Sequence, residues 1–480
     1  MSIEATRAQI RAARPTESSW VSANAGSGKT RVLTDRVARL LLAGTDPQRI
    51  LCLTYTKAAA AEMQNRLFRT LGTWAMLEDA PLAAALAALQ DPEAPPHRDL
   101  DRARTLFARA LETPGGLKIQ TIHAFCDTLL RRFPLEGGVA PLFTVLEDRQ
   151  ARALRAEVLD RIAENEPALF AAFAAHLSGD DPDPLLSEIG HNRTAFAGPF
   201  DPDALAASLH VPPGLTPGRL LAQTLTLGTI GRLRDLIPLL EASGPTDRKL
   251  GATLSRAIRT SDPDTALEAL EDGLLYGKDA KAPFGAKKGA VPTKALRRAH
   301  PALAGDLDAL AERVETARAQ RVALGALTKS AALHRFARAF LAGHDAAKRA
   351  LGLLDFDDLI RRAEALLAQP ETAAWVLWRL DGGLDHILVD EAQDTSPAQW
   401  RVIGAISADF FAGIGARDVA RTIFVVGDEK QSIYSFQGAD PAAFGTMRAR
   451  YEAQIAELGA ELQRCDLLYS FRSAAPILQL

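Results

Sequence analysis

Two stretches far apart in the chain carry residues that can do chemistry together. The first runs Ala23-Asn24-Ala25-Gly26-Ser27-Gly28-Lys29-Thr30. Glycines let a backbone close around an anion, while successive amides and the N-terminus of a following helix supply partial positive charge. Lys29 adds a full charge for the β- and γ-phosphates of a nucleotide, and the Thr30 hydroxyl can hold magnesium. Ala23 stands where this motif has its first glycine, and alanine is small enough to keep the path of the loop. In the second stretch the apolar run His386-Ile387-Leu388-Val389 ends in Asp390-Glu391. A carboxylate at Asp390 suits magnesium, directly or through water. Glu391 suits a base that orients and deprotonates an attacking water. The chemistry these residues support is hydrolysis of ATP with Mg2+.

Such residues must be positioned by strands and helices. Ser18–Val21 reads as a buried strand before the loop. Arg31–Leu42 reads as a helix after it, with Leu33, Val37, Leu40 and Leu41 on one face. Further strands are expected at Arg49–Thr54, Leu117–Ile122, His386–Val389 and Arg421–Val426, and a sixth at Glu461–Leu468. The first five each end in a polar cluster. In open α/β sheets ligands bind outside the carboxyl ends of the strands, so these clusters converge on one site. After the second strand come Thr54 and Thr56, which can contact a nucleic-acid phosphate, although Thr56 equally suits a helix N-cap. After the third come Thr121 and His123. After the fifth come Gln431, placed to sense a γ-phosphate, and the aromatics Tyr434 and Phe436, which offer ring faces for stacking on bases. Gln9, in a short N-terminal helical pattern, either reads an adenine edge with its amide or is a surface glutamine.

Composition sets the bounds. At 480 residues the chain is too long for one core. It is 47% hydrophobic and 24% charged with a net charge of −3, so no global basic field marks it for nucleic acid, although a local stripe would suffice. Cys52, Cys126 and Cys465 lie far apart, without metal spacing, and suit a reducing compartment. The N-terminus carries no apolar signal-peptide core, and no apolar run approaches a membrane span, so the cytoplasm is expected.

Residues 150–350 show helical patterns and no comparable β-run, which predicts a mainly helical insertion between the first part of an α/β lobe (1–149) and its second part (351–460). Inside the insertion, Lys278, Lys281, Lys287, Lys288, Lys294, Arg297 and Arg298 stand against Asp279 alone between residues 278 and 298. That stretch is either a flexible loop for a phosphate backbone or a solvated charged loop. Asp355, Asp357 and Asp358 favour the positive end of the following helix over a metal site.

Five ordered motifs resemble the UvrD/Rep group of superfamily 1 DNA helicases: Ala25–Thr30, Thr54–Met63, Thr121–Phe125, Val389–Asp394 and Gly427–Tyr434. The wording around them, including Glu112–His123 and Leu354–Leu359, is most similar to the AddA family of helicase–nuclease subunits in double-strand-break repair. The resemblance implies RecA-like P-loop lobes with ATP between them and single-stranded DNA across the top, moved 3′ to 5′. It implies an AddB-like second subunit in the full-length protein. By position, Gln9 resembles the adenine-reading glutamine, and Thr54, Thr56, Thr121 and His123 resemble DNA contacts. Gln431 resembles the γ-phosphate sensor, Phe471 an adenine-stacking residue and Arg472 the arginine finger. Phe436-Gln437 replaces the usual Trp-Arg, and Tyr469–Arg472 departs from Asn-Tyr-Arg. Later helicase motifs and a nuclease domain do not occur, so a fragment is expected, with residues 461–480 opening a second lobe. Two other readings stay open: a truncated ATP- and DNA-binding module without unwinding activity, and a P-loop ATPase acting on a protein partner.

Overall fold

The computed structural model describes residues 3–24, 26–90, 99–379, 383–411, 419–428, 430, 441–467 and 469. Six parallel strands form one sheet: β1 (Ser19–Ala23), β2 (Ile50–Thr54), β3 (Lys118–Thr121), β6 (His386–Val389), β7 (Thr422–Gly427) and β8 (Gln463–Leu467). Their order is β3-β2-β6-β7-β1-β8. The two remaining strands, β4 (Thr144–Val145) and β5 (Leu353–Leu354), pair with each other alone. The sheet is the α/β architecture the apolar runs predict. The strand at 463–467, which the sequence places at the opening of a second lobe, is instead the edge of this sheet, with Val21 opposite Cys465.

The central strands are apolar at consecutive positions because both sheet faces are covered. Every residue of β2, β6 and β7 is buried. Alternation then sorts them. Trp20, Leu51, Leu53, Ile387, Val389, Ile423 and Val425 enter one core with the helices Ile122–Arg132, Phe356–Leu367 and Pro397–Ile406. Val21, Cys52, Leu388, Phe424 and Val426 enter the other with the helices Lys29–Leu42, Lys57–Met76 and Leu100–Leu111. Each large apolar side chain so buried contributes about 1.5–3 kcal/mol. Because all six strands run the same way, their carboxyl ends share one edge.

The chain divides into two compact units, residues 1–151 with 348–480, and residues 152–347. The second is helical. Its main core joins Leu233, Leu236, Leu240, Leu254 and Leu270 with Leu307, Leu310 and Val314 of the helix Pro301–Leu351. Part of the basic stretch at 278–298 folds onto acids of that helix. Arg297 makes a forked pair with Asp308 at 3.0 and 2.5 Å, Lys288 pairs with Glu312, and the Gly289 amide donates to Asp308 at 3.0 Å. Charges within the stretch do not reveal those partners, because they lie further along the chain. Lys278, Lys281, Lys294 and Arg298 stay exposed.

The acids at 355–358 also take their structural role. Asp355 and Asp358 form a reciprocal capping box at the start of Phe356–Leu367, and the buried Lys348 ammonium donates to both at 2.6 Å. Among the described residues no group of three or more His, Cys, Asp or Glu could hold a metal ion, and no helix is long and apolar enough to cross a membrane.

Candidate nucleotide site

The loop after β1 turns on two left-handed glycines, Gly26 at φ 74° and Gly28 at φ 88°, a region that favours glycine. Gly28 is the N-cap of Lys29–Leu42, and no side chain caps that helix among the described residues. Its first amides therefore face outward as an anion site. Gln9 lies beneath the loop, buried, and its Nε2 donates to the Ser27 carbonyl at 2.9 Å. A Cβ on Gly28 would come within 2.8 Å of that nitrogen, so glycine serves both the turn and the close approach of Gln9.

Lys29 and the carboxylates meet across the sheet edge. The Lys29 ammonium donates to Glu391 Oε2 at 2.8 Å. Glu391 holds φ 48°, ψ 45°, a left-handed conformation that costs a non-glycine residue about 1–3 kcal/mol and is concentrated at functional sites. Asp390 accepts the Glu391 amide at 3.0 Å, and its own amide donates to the Leu53 carbonyl at 2.8 Å. Burial first, and then the neighbouring Glu391 charge, push the Asp390 carboxyl up to about 7, with Lys29 opposing. The Ser27 hydroxyl is buried with no hydrogen-bond partner among the described residues. Two carboxylates against one ammonium, with Thr30 beside Lys29, form a hard-oxygen donor set that fits magnesium.

The raised Asp390 value fixes a pH dependence. Between 3.8 and about 7 the folded chain holds a proton that the unfolded chain has released, so this group's contribution makes stability fall as pH rises through that window. Magnesium needs the ionised form, so it should raise the melting temperature more at about pH 8 than at about pH 6, and Asp390→Asn should abolish that difference. Equal protection at both pH values would remove Asp390 from the metal site.

On the neighbouring strand ends, Thr54 lies directly opposite Thr121. Thr54 Oγ1 donates to the Thr56 carbonyl at 3.1 Å. Thr56 and Thr121 are both N-caps, their hydroxyl oxygens accepting from Ala59 and Ala124 at 3.1 and 3.2 Å. A capping hydroxyl accepts with its oxygen and keeps its hydrogen for an outside acceptor, so capping and phosphate binding are compatible. His123 sets its ring edge-on to Phe356 at 5.5 Å, and burial lowers its pKa, leaving a neutral ring. Ala23 and Asn24 stand at the end of β1, where the Asn24 amide donates to Leu467 O at 3.3 Å. Ala25, Gln431, Tyr434, Phe436, Phe471 and Arg472 lie outside the described residues. Sequence reasoning missed Gln393 and Gly427. Both sit inside the helicase-like motifs, but nothing in their residue types singled them out.

A covered parallel sheet whose strand ends gather a glycine loop, a lysine and paired carboxylates defines a P-loop nucleotide-binding lobe. The family described as the UvrD/REP helicase N-terminal domain matches residues 4–452, and the chain belongs to that family. Relatives named as ATP-dependent helicase/nuclease subunits of the AddA type include proteins from Enterococcus faecalis (28% identical over 96% of this chain and 36% of the relative), Latilactobacillus sakei (28%, over 94% and 51%) and Geobacillus thermodenitrificans (29%, over 95% and 37%). The chain thus spans between about a third and a half of the length of these relatives.

Proposed function

We propose that this chain carries the ATP-hydrolysing lobe of a DNA helicase that moves 3′ to 5′ along single-stranded DNA in double-strand-break repair, in partnership with an AddB-like protein. The observation that carries the reading is the 2.8 Å contact between Lys29 of the glycine loop and Glu391 at the end of β6. It joins the phosphate-binding group to the base without any other ligand.

Lys29 and the amides at the start of the following helix bind and orient the β- and γ-phosphates. Arrival of the γ-phosphate draws Lys29 from Glu391, which leaves that carboxylate to accept a proton from water. Bound magnesium, held by Thr30 and Asp390, would neutralise phosphate charge. Gln9 supports the loop through Ser27 and stands as the adenine reader. Gln431 is assigned to sense the γ-phosphate, with Phe471 on adenine and Arg472 as the arginine finger. Thr54, Thr56, Thr121 and His123 face DNA, joined by Tyr434 and Phe436. The cytoplasm is the compartment assigned.

The test is ATP hydrolysis by this chain with and without single-stranded DNA, beside Lys29→Ala. We expect stimulation by DNA and a loss of about 100-fold or more in Lys29→Ala, the scale for removing a preorganised charge from a transition state. Turnover that ignores DNA would favour an ATPase acting on a protein. DNA binding without turnover would favour a binding module.

A further inference from the structure

Hydrolysis by Lys29, Asp390 and Glu391 gives Gln393 no part, yet its carboxamide is the most connected group behind the site. The side chain is 2% exposed. Its Nε2 donates to Glu391 Oε2 at 2.8 Å and to Asp394 Oδ2 at 3.1 Å. Its Oε1 accepts the Asp428 amide at 2.9 Å. These partners fix the orientation of the amide, because a backbone N–H requires the oxygen and two carboxylates require the nitrogen.

We propose that Gln393 is the positioning residue that holds the Glu391 carboxylate and ties it to the carboxyl end of β7. The inference rests on the ATP-hydrolysis reading. Glu391 Oε2 accepts from both Lys29 and Gln393. When phosphate draws Lys29 away, Gln393 continues to aim the carboxylate. Glu391 needs that support, since its left-handed backbone persists only where its surroundings over-determine it. The link runs on through the Asp428 amide, and Asp428 Oδ1 in turn accepts the Lys430 amide at 3.1 Å. A shift of Glu391 on phosphate binding therefore pulls on the segment that follows β7.

The residue before Asp428 is shaped for this contact. A Cβ at Gly427 would stand 2.7 Å from Gln393 Oε1, 2.8 Å from Phe444 Cε2 and 3.2 Å from the Gln393 amide nitrogen. Two of those atoms belong to Gln393 itself, so glycine is what lets the strand end reach the carboxamide.

Gln393→Met keeps length and volume but removes the amide, which separates positioning from packing. We expect ATP turnover to fall about 10- to 100-fold, the usual cost of losing a group that orients a site residue, with KM for ATP within about threefold of the parent. In a Glu391→Gln background the same substitution should cost little more, because residues acting as one unit are not additive. Turnover of Gln393→Met within about threefold of the parent, or an equal loss in both backgrounds, would overturn the proposal. Hydrogen exchange of the Asp428 amide reads the link without turnover. It should accelerate about tenfold or more in Gln393→Met, and ATP should alter it in the parent but not in the variant. Unchanged exchange would overturn the link, whereas absent turnover in the parent would overturn the ATPase reading alone.

Discussion

Glu391→Gln is expected to lower ATP turnover by about 10²–10⁴-fold, the range for a general base, while ATP stays bound. Glutamine keeps the size of the side chain and can still meet Lys29 and Gln393, so the loop and the sheet edge retain their shape. It cannot take a proton. The change also removes the charge that helps push the Asp390 carboxyl up to about 7. Asp390 should then ionise at lower pH, and the nucleotide-free chain should become more stable near neutrality. Single-turnover hydrolysis, with binding of a fluorescent ATP analogue measured in parallel, separates these effects. Turnover within about tenfold of the parent would place the base elsewhere.

The second large effect is structural and concerns Arg36. Its guanidinium is fully buried and carries its charge on oxygens of the chain. It donates to the carbonyls of Ala12, Arg14 and Glu17 at 3.3, 2.5 and 2.6 Å and to the hydroxyls of Ser19 and Thr422 at 3.4 and 3.1 Å. It lies over the Phe424 ring at 4.9 Å. Burial, and then Arg39, bring its pKa down to about 9. Because Arg36 can only donate, the Thr422 hydroxyl keeps its hydrogen for His386 Nδ1, 2.8 Å away. That fits a neutral histidine, whose pKa burial and Arg36 lower to about 3.

Arg36→Leu abandons three carbonyls at about 1–3 kcal/mol each, partly offset by no longer burying a charge, for a net loss of about 3–5 kcal/mol. Urea unfolding followed by tryptophan fluorescence would report it, since Trp20 and Trp400 stack in one core at 6.0 Å. The same change should raise KM for ATP, because Arg36 and Arg39 hold the backbone of Ile3–Ala12 and of the residues just after it, the helix that carries Gln9. A loss under about 1 kcal/mol would mean that the carbonyls find water.

Much of the sheet could be read from apolar runs. β6 falls on His386–Val389 as expected, because a buried parallel strand is apolar throughout and bounded by polar residues. β3 ends at Thr121 and not at Ile122, since the Thr121 hydroxyl caps the next helix and commits Ile122 to it. The place of β8 was not legible, because strand order depends on pairing partners hundreds of residues away and leaves no local pattern. At the site, Lys29, Asp390 and Glu391 were readable from residue type and spacing. Gln393 was not, since an amide acquires its meaning from the three groups it happens to meet. The charges at 278–298 misled for the same reason, their partners being Asp308 and Glu312.

The neighbours of β2 are β3 and β6, and β3 ends at Thr121 whereas β6 begins at His386. Roughly 260 residues must leave the ribosome between them. At 5–20 residues per second that is on the order of ten to fifty seconds. Throughout that interval the β6-facing edge of β2 and the β7-facing edge of β1 have no partner strand, and an unpaired apolar edge is a template for aggregation. The glycine loop is translated early but stays without Glu391 until late. Synthesis therefore leaves a window in which the nascent chain depends on being shielded before it can acquire its nucleotide site.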